Sequence, residues 1–115
     1  MRPLGVEGED LAADFLKGKG YRIIARNYKT PIGEIDIIAR DRGTLVFAEV
    51  KTRAVGSFGH PFESVTPRKR EKLRKLALYY LKNVCKKEVP SRFDVLSIRA
   101  GSSEDEIEHI VDAFE

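Results

Sequence analysis

The chain has 115 residues, 42% hydrophobic and 34% charged, with a net charge of +3 and a single cysteine. These figures suit one globular domain spanning residues 1–115 and exclude a disordered chain or a disulfide-framed one. Lone Cys85 fits a reducing compartment, and without an apolar leader or a run of about 18 apolar residues the expectation is a cytoplasmic protein with no membrane partner.

In chain order, residues 5–19 read as a helix, with Leu11, Ala12, Phe15 and Leu16 at helical spacing and Gly18 and Gly20 as the stop. Tyr21–Tyr28 is rich in β-branched and aromatic residues and reads as a strand, followed by a turn at Lys29-Thr30-Pro31. Glu34–Arg40 and Leu45–Arg53 read as a hairpin around Asp41-Arg42-Gly43. Residues 54–65 read as a loop, with Phe58, Gly59, His60 and Pro61 placed to move over a substrate. A second helix follows, with Thr66 as N-cap and Pro67 at its first position. Its apolar face is Leu73, Leu76, Ala77, Tyr80, Leu81 and Val84. Phe93–Ile98 reads as a fourth strand, Gly101–Asp105 as a loop and Ile107–Phe114 as a short last strand. The order α-β-β-β-α-β-(β) gives an α/β fold with a mixed sheet flanked by helices.

The hairpin is the unusual stretch, because charged residues interrupt two apolar strands. Side chains alternate across a strand, so Glu34, Asp36 and Ile38 are expected on one face, and Leu45, Phe47, Glu49 and Lys51 on one face of the next. If Arg40 faces Leu45 across the turn, then Ile38 faces Phe47, Asp36 faces Glu49, and Glu34 faces Lys51. Two opposed carboxylates would lie about 4.5–5.5 Å apart at Cβ and repel. A divalent cation between them removes that cost, and hard oxygen ligands favour Mg2+ or Mn2+. Such a metal polarises a bound phosphate and acidifies a bound water. Lys51 would stand beside that water, and the Val50 carbonyl is a further candidate ligand. Glu9, on the helix face of Ala12 and Leu16, can be aimed at the same end. Each feature also has a plainer explanation. Glu34 and Lys51 would make an ordinary cross-strand ion pair, and Glu9 would be a first-turn acid favoured by the helix dipole.

The second helix carries Arg68, Lys69, Arg70, Lys72, Arg74 and Lys75, with Glu71 interrupting the run. Lys69 and Lys72, together with Arg53 just past Lys51, are the candidates for phosphate contacts of the kind that bind nucleic acid without reading sequence. A solvated helix face explains the same lysines equally well. His60 has no second histidine with which to bind a metal. His109 reads as structural, Cys85 as a small core residue, and Asp94 as a structural acid bonded to a loop.

The segments GVEGED, GEIDIIA, VFAEVKTR, SFGHPFESV, RFDVL and HIVDAF together closely resemble the YraN-type family of endonuclease-like bacterial proteins, from about Gly5 to Phe114. That family resembles the PD-(D/E)XK nucleases, which have a restriction-endonuclease-like core, and among them the archaeal Holliday-junction resolvases. The resemblance implies metal-dependent hydrolysis of DNA phosphodiesters, with junction or other branched DNA as a candidate substrate. It places the catalytic Asp at Asp36, the Glu-x-Lys pair at Glu49 and Lys51, and the early helical Glu at Glu9. Glu34 belongs to the YraN-type pattern. Ile35 stands where the superfamily's eponymous proline would be. Resolvases need two active sites for paired cuts, so a homodimer is expected by analogy. The rival expectations are a nucleic-acid-binding protein that keeps the fold without turnover, and a protein-interaction module.

Overall fold

Ala12, Ala13 and Leu16 form an apolar stripe buried against the sheet, and around it Leu4–Gly18 coils into helix α1. The structure is a computed structural model describing residues 4–53, 65–99 and 106–115, with side chains from residue 8 in α1 and from residue 107 in the last strand. The helix is closed by Gly20, whose φ of +93° suits a residue without Cβ. That turn lets the Tyr21 amide donate to the Leu16 carbonyl at 3.0 Å.

Three antiparallel strands follow: β1 (Arg22–Thr30), β2 (Gly33–Asp41) and β3 (Thr44–Arg53). Helix α2 (Pro67–Tyr80) returns the chain to β4 (Ser91–Arg99), which runs parallel to β3, and β5 (Glu106–Phe114) closes the far edge antiparallel to β4. The sheet is mixed, in the order β1-β2-β3-β4-β5. Thr66 caps α2 as its side chain predicts, accepting from the Lys69 amide at 3.2 Å, with Pro67 at the first position.

Each face of the sheet is covered by one helix. On the α1 face Ala12, Leu16, Ile37, Val46, Leu96 and Ile98 pack together. On the α2 face Ile38, Phe47, Leu73, Leu76, Tyr80 and Val95 do so. Complete burial of a side chain of this size stabilises by roughly 1.5–3 kcal/mol, so both helices are held firmly on the sheet.

Four expectations need correction. β1 continues through Thr30, and the turn is the pair Pro31-Ile32, because the Thr30 hydroxyl donates to the Gly33 carbonyl at 2.8 Å and accepts from the Ile32 amide at 3.2 Å. Val84 is not a core residue. After Tyr80 the chain enters a π-helical turn, Leu81–Cys85, whose wider winding rotates Val84 outward to 48% exposure. β5 is a full nine-residue strand. Ile35 packs on the α2 face with Ile38, while Ile37 lies on the α1 face, so the alternation slips at Asp36. The expected loops at 54–65 and 101–105 lie outside the described residues except for Val65, which is buried in the core.

Candidate functional site

The hairpin register is the expected one as far as it goes. Arg40 pairs with Leu45, Ile38 with Phe47 and Ile37 with Ala48, and there the β2–β3 pairing stops. Beyond that point the start of β2 stays bonded to β1 through Ile35, Glu34 and Gly33, while β3 stays bonded to β4 through Arg53. The sheet therefore forks, and Asp36 and Glu49 flank the opening.

Asp36 takes the place of the missing backbone acceptor. Its Oδ2 accepts from the Val50 amide at 2.9 Å. The amide and carbonyl of one strand residue point to the same side, so the Val50 carbonyl also faces the fork, as a ligand there would need to. Burial, and then the negative charge of Glu49, push the Asp36 carboxyl from its ordinary 3.8 up to about 7. Glu9 pushes the same way, while the Val50 hydrogen bond and Lys69 oppose it. Asp36 thus feels Glu9 from the α1 side and Lys69 from the α2 side.

Glu49 points to the α2 face and is 4% exposed. Its Oε1 lies 3.5 Å from Lys51 Nζ, two residues along the strand, and 3.4 Å from Lys69 Nζ, in the first turn of α2. Lys69 therefore does not simply face solvent; it reaches down onto the Glu49 carboxylate. Lys72 lies on the same helix with its stem over Gly33, where an added Cβ would stand 3.0 Å from Lys72 Cε. An open groove of about 570 Å3 beside these residues is lined by Thr66, Arg68, Lys69, Glu71, Lys72 and Lys75.

Of the candidate residues, Asp36, Glu49, Val50, Lys51 and Lys69 come together. Glu9 stands nearby on α1, which packs closely because Gly8 touches Thr52: a Cβ at Gly8 would run into the Thr52 hydroxyl. Glu9 nevertheless approaches from the other face, and among the described residues no three acids, histidines or cysteines are close enough to form a metal cage. Glu34 does not stand opposite Lys51 as the extended register predicts. It is exposed and pairs with Lys29 on β1, because the fork carries it away from Lys51. Arg53 ends β3 opposite Arg99 of β4.

The donor set fits a hard divalent cation. Magnesium is usually held by one or two carboxylates with waters completing its octahedron, and here two carboxylates and a carbonyl face one opening. A cation there would also offset the Glu49 repulsion that, after burial, raises Asp36.

A second buried cluster was not foreseen as a whole. Asp94 is 1% exposed, and its partners among the described residues lie on strands rather than in a loop. It accepts from Arg92 Nε at 3.0 Å, from Arg92 Nη2 at 3.3 Å and from the Asp112 amide at 3.0 Å, and bonds His109 Nε2 at 2.8 Å. Arg92 also donates to Asp41 at 3.1 Å and to the Tyr21 hydroxyl at 2.6 Å. The Lys19 ammonium, which can only donate, lies 2.9 Å from His109 Nδ1. Nδ1 is therefore the acceptor, and Nε2 carries the proton given to Asp94. Arg92-x-Asp94 has the same two-residue spacing as Glu49-x-Lys51, the signal by which the pair is recognisable in the sequence. His109 is structural, as expected, and Cys85 packs against the α2-side core.

Residues 8–98 match the model of the family described as Uncharacterised protein family UPF0102. A UPF0102 protein of Thermodesulfovibrio yellowstonii is 52% identical over 111 residues, covering 96% of this chain and 95% of that one. One from Chlorobium limicola is 50% identical over 117 residues, covering 96% and 91%. One from Geobacter sulfurreducens is 50% identical over 113 residues, covering 97% and 88%. The chain belongs to this family.

Proposed function

We propose that this member of the UPF0102 family is a magnesium- or manganese-dependent endonuclease acting on DNA, with its active site in the fork between β2 and β3. The observation that carries the reading is the pair Asp36 and Glu49, two half-buried to buried carboxylates set against each other, with Asp36 pushed up to about 7. A carboxylate perturbed by burial together with a specific charged neighbour in a cleft is a functional-site candidate. The order of helix, three antiparallel strands, helix and parallel strand supports a PD-(D/E)XK nuclease-like core as part of the same proposal.

In this mechanism Asp36, Glu49 and the Val50 carbonyl would hold the metal, which when bound would supply polarisation of a phosphate oxygen and acidification of a water. Lys51 orients the attacking water and offsets charge as it develops on the phosphate. Lys72 and Arg53 grip flanking phosphates, which positions the backbone without reading its sequence. Glu9 adds negative potential from the α1 side. Branched DNA cut by a homodimer is the substrate class that the resolvase-like pattern favours.

The second reading is a nucleic-acid-binding protein without turnover. It draws support from the two lysines that already neutralise Glu49 and from the lack of a third acid in the cluster among the described residues. Incubating the purified protein and Lys51→Ala with linear, circular, single-stranded and four-way-junction DNA, with each metal, separates the two. The nuclease reading expects metal-dependent cleavage by the wild type, lost in Lys51→Ala with DNA affinity nearly intact. No cleavage of any substrate would leave the binding protein, and cleavage by Lys51→Ala at the wild-type rate would place the activity elsewhere.

A further inference from the structure

Lys51 and Lys69 crowd one oxygen of Glu49, at 3.5 and 3.4 Å, whereas no ion pair to Asp36 occurs among the described residues. The positive charge is thus gathered on one carboxylate while its neighbour bears the repulsion. Lys69 reaches Glu49 from the first turn of α2, which also carries Arg68 and Arg70 and contains no acidic residue. A helix N-terminus favours anions and disfavours cations, so this turn is short of negative charge. Glu49 supplies some from within the sheet. On the outer side Lys69 opens onto the groove lined by Lys72 and Lys75, a surface suited to phosphate.

We infer that Lys69 is a two-position residue of the site: it pairs with Glu49 when no divalent cation is bound there, and turns its ammonium to a phosphodiester in the groove when one is. This rests on the metal-dependent reading above. Placing two further positive charges on Glu49 repels both ammoniums. Of the two, Lys69 is the more exposed, at 40% against 33% for Lys51, and it has the groove to turn into. Cation and phosphate then reinforce each other's binding by an equal factor, as linkage requires. Lys69 is in this sense a coupling residue between metal and substrate, in addition to a member of the general basic surface.

The test uses the intact protein and does not depend on cleavage. Manganese is titrated calorimetrically into wild type, Lys69→Met and Lys69→Arg, and affinity for a short DNA duplex is measured by fluorescence anisotropy with calcium and with chelator. Removing the competing charge should tighten manganese binding by Lys69→Met about 3- to 10-fold, with Lys69→Arg close to wild type. Calcium should raise duplex affinity in the wild type, and Lys69→Met should lose that gain, whereas Lys75→Met should keep it while binding more weakly throughout. Should Lys69→Met fail to fold, Lys69→Gln removes the same charge. Manganese binding by wild type and Lys69→Met with equal affinity, and an undiminished calcium gain, would overturn the coupling role alone. No manganese binding by the wild type would overturn the metal-dependent reading itself, and the coupling with it.

Discussion

Asp94 and Asp36 lie on adjoining stretches of the same sheet and have opposite electrostatic fates. Burial would raise the Asp94 pKa, but hydrogen bonds from His109, Arg92 and the Asp112 amide outweigh it and hold the carboxyl below its ordinary value. Both oxygens are occupied, and β5 even adopts a left-handed residue, Asp112 at φ 53°, beside a register shift that aims its amide at Asp94. Asp36 has one backbone hydrogen bond, a like charge beside it and no ion pair among the described residues. One cluster is satisfied by its neighbours in the fold; the other, among the described residues, is not. That difference, more than burial or charge taken singly, separates a structural carboxylate from a functional one.

The largest expected effect lies on the satisfied side. Asp94→Ala leaves Arg92 and His109 without their central partner and should destabilise the fold by about 3–5 kcal/mol, read from urea unfolding. A loss under about 1 kcal/mol would show that the network is not a structural anchor. Next in size is Gly8→Ala, which drives a methyl into the Thr52 hydroxyl and should cost about 1–3 kcal/mol by overpacking. Adding Thr52→Ala should recover most of that loss, and a double variant no better than the single one would mean that α1 is not seated by this contact.

On the unsatisfied side the sign reverses. The folded Asp36 carboxyl, raised from 3.8 to about 7, binds more protons than the unfolded one between those values. Stability therefore falls as pH rises through that window, and the penalty is fully present above it and absent below. Asp36→Asn keeps the shape and the Val50 hydrogen bond, so without metal it should be neutral or stabilising by about 0–2 kcal/mol above pH 7. The difference from wild type should vanish near pH 4, as thermal unfolding across pH would report. The smallest effect belongs to Glu34→Gln, expected to change stability by less than about 0.5 kcal/mol and manganese affinity not at all. A large change in either would return Glu34 to the site.

Much of this was legible in the sequence wherever local rules apply. The hairpin turn set the register that pairs Ile38 with Phe47, and Thr66-Pro67 announced the start of α2. The face of Glu49 and Lys51 followed from alternation. Glu34 was misplaced because alternation assumes an unbroken ladder, and the ladder ends where β2 stays with β1 and β3 with β4. Val84 was misplaced for a similar reason, since a 3.6-residue period does not anticipate a π-helical turn. The contacts from Lys69 to Glu49 and from Gly8 to Thr52 join residues distant in the chain, so no periodicity carries them. The Asp94 network was half visible in Arg92-x-Asp94, but its other partners come from elsewhere in the chain: Tyr21 just after α1, Asp41 at the end of β2 and His109 on β5.

The most direct test of the contrast between the two aspartates is thermal unfolding of the wild type and Asp36→Asn, each with chelator and with manganese at neutral pH. A ligand that prefers the folded state stabilises it by mass action. Manganese should therefore raise the melting temperature of the wild type, with a much smaller rise for Asp36→Asn, whose metal-free melting temperature should equal or exceed that of the wild type. A clearly destabilised Asp36→Asn together with no manganese shift in the wild type would contradict the functional reading and make Asp36 a structural carboxylate like Asp94.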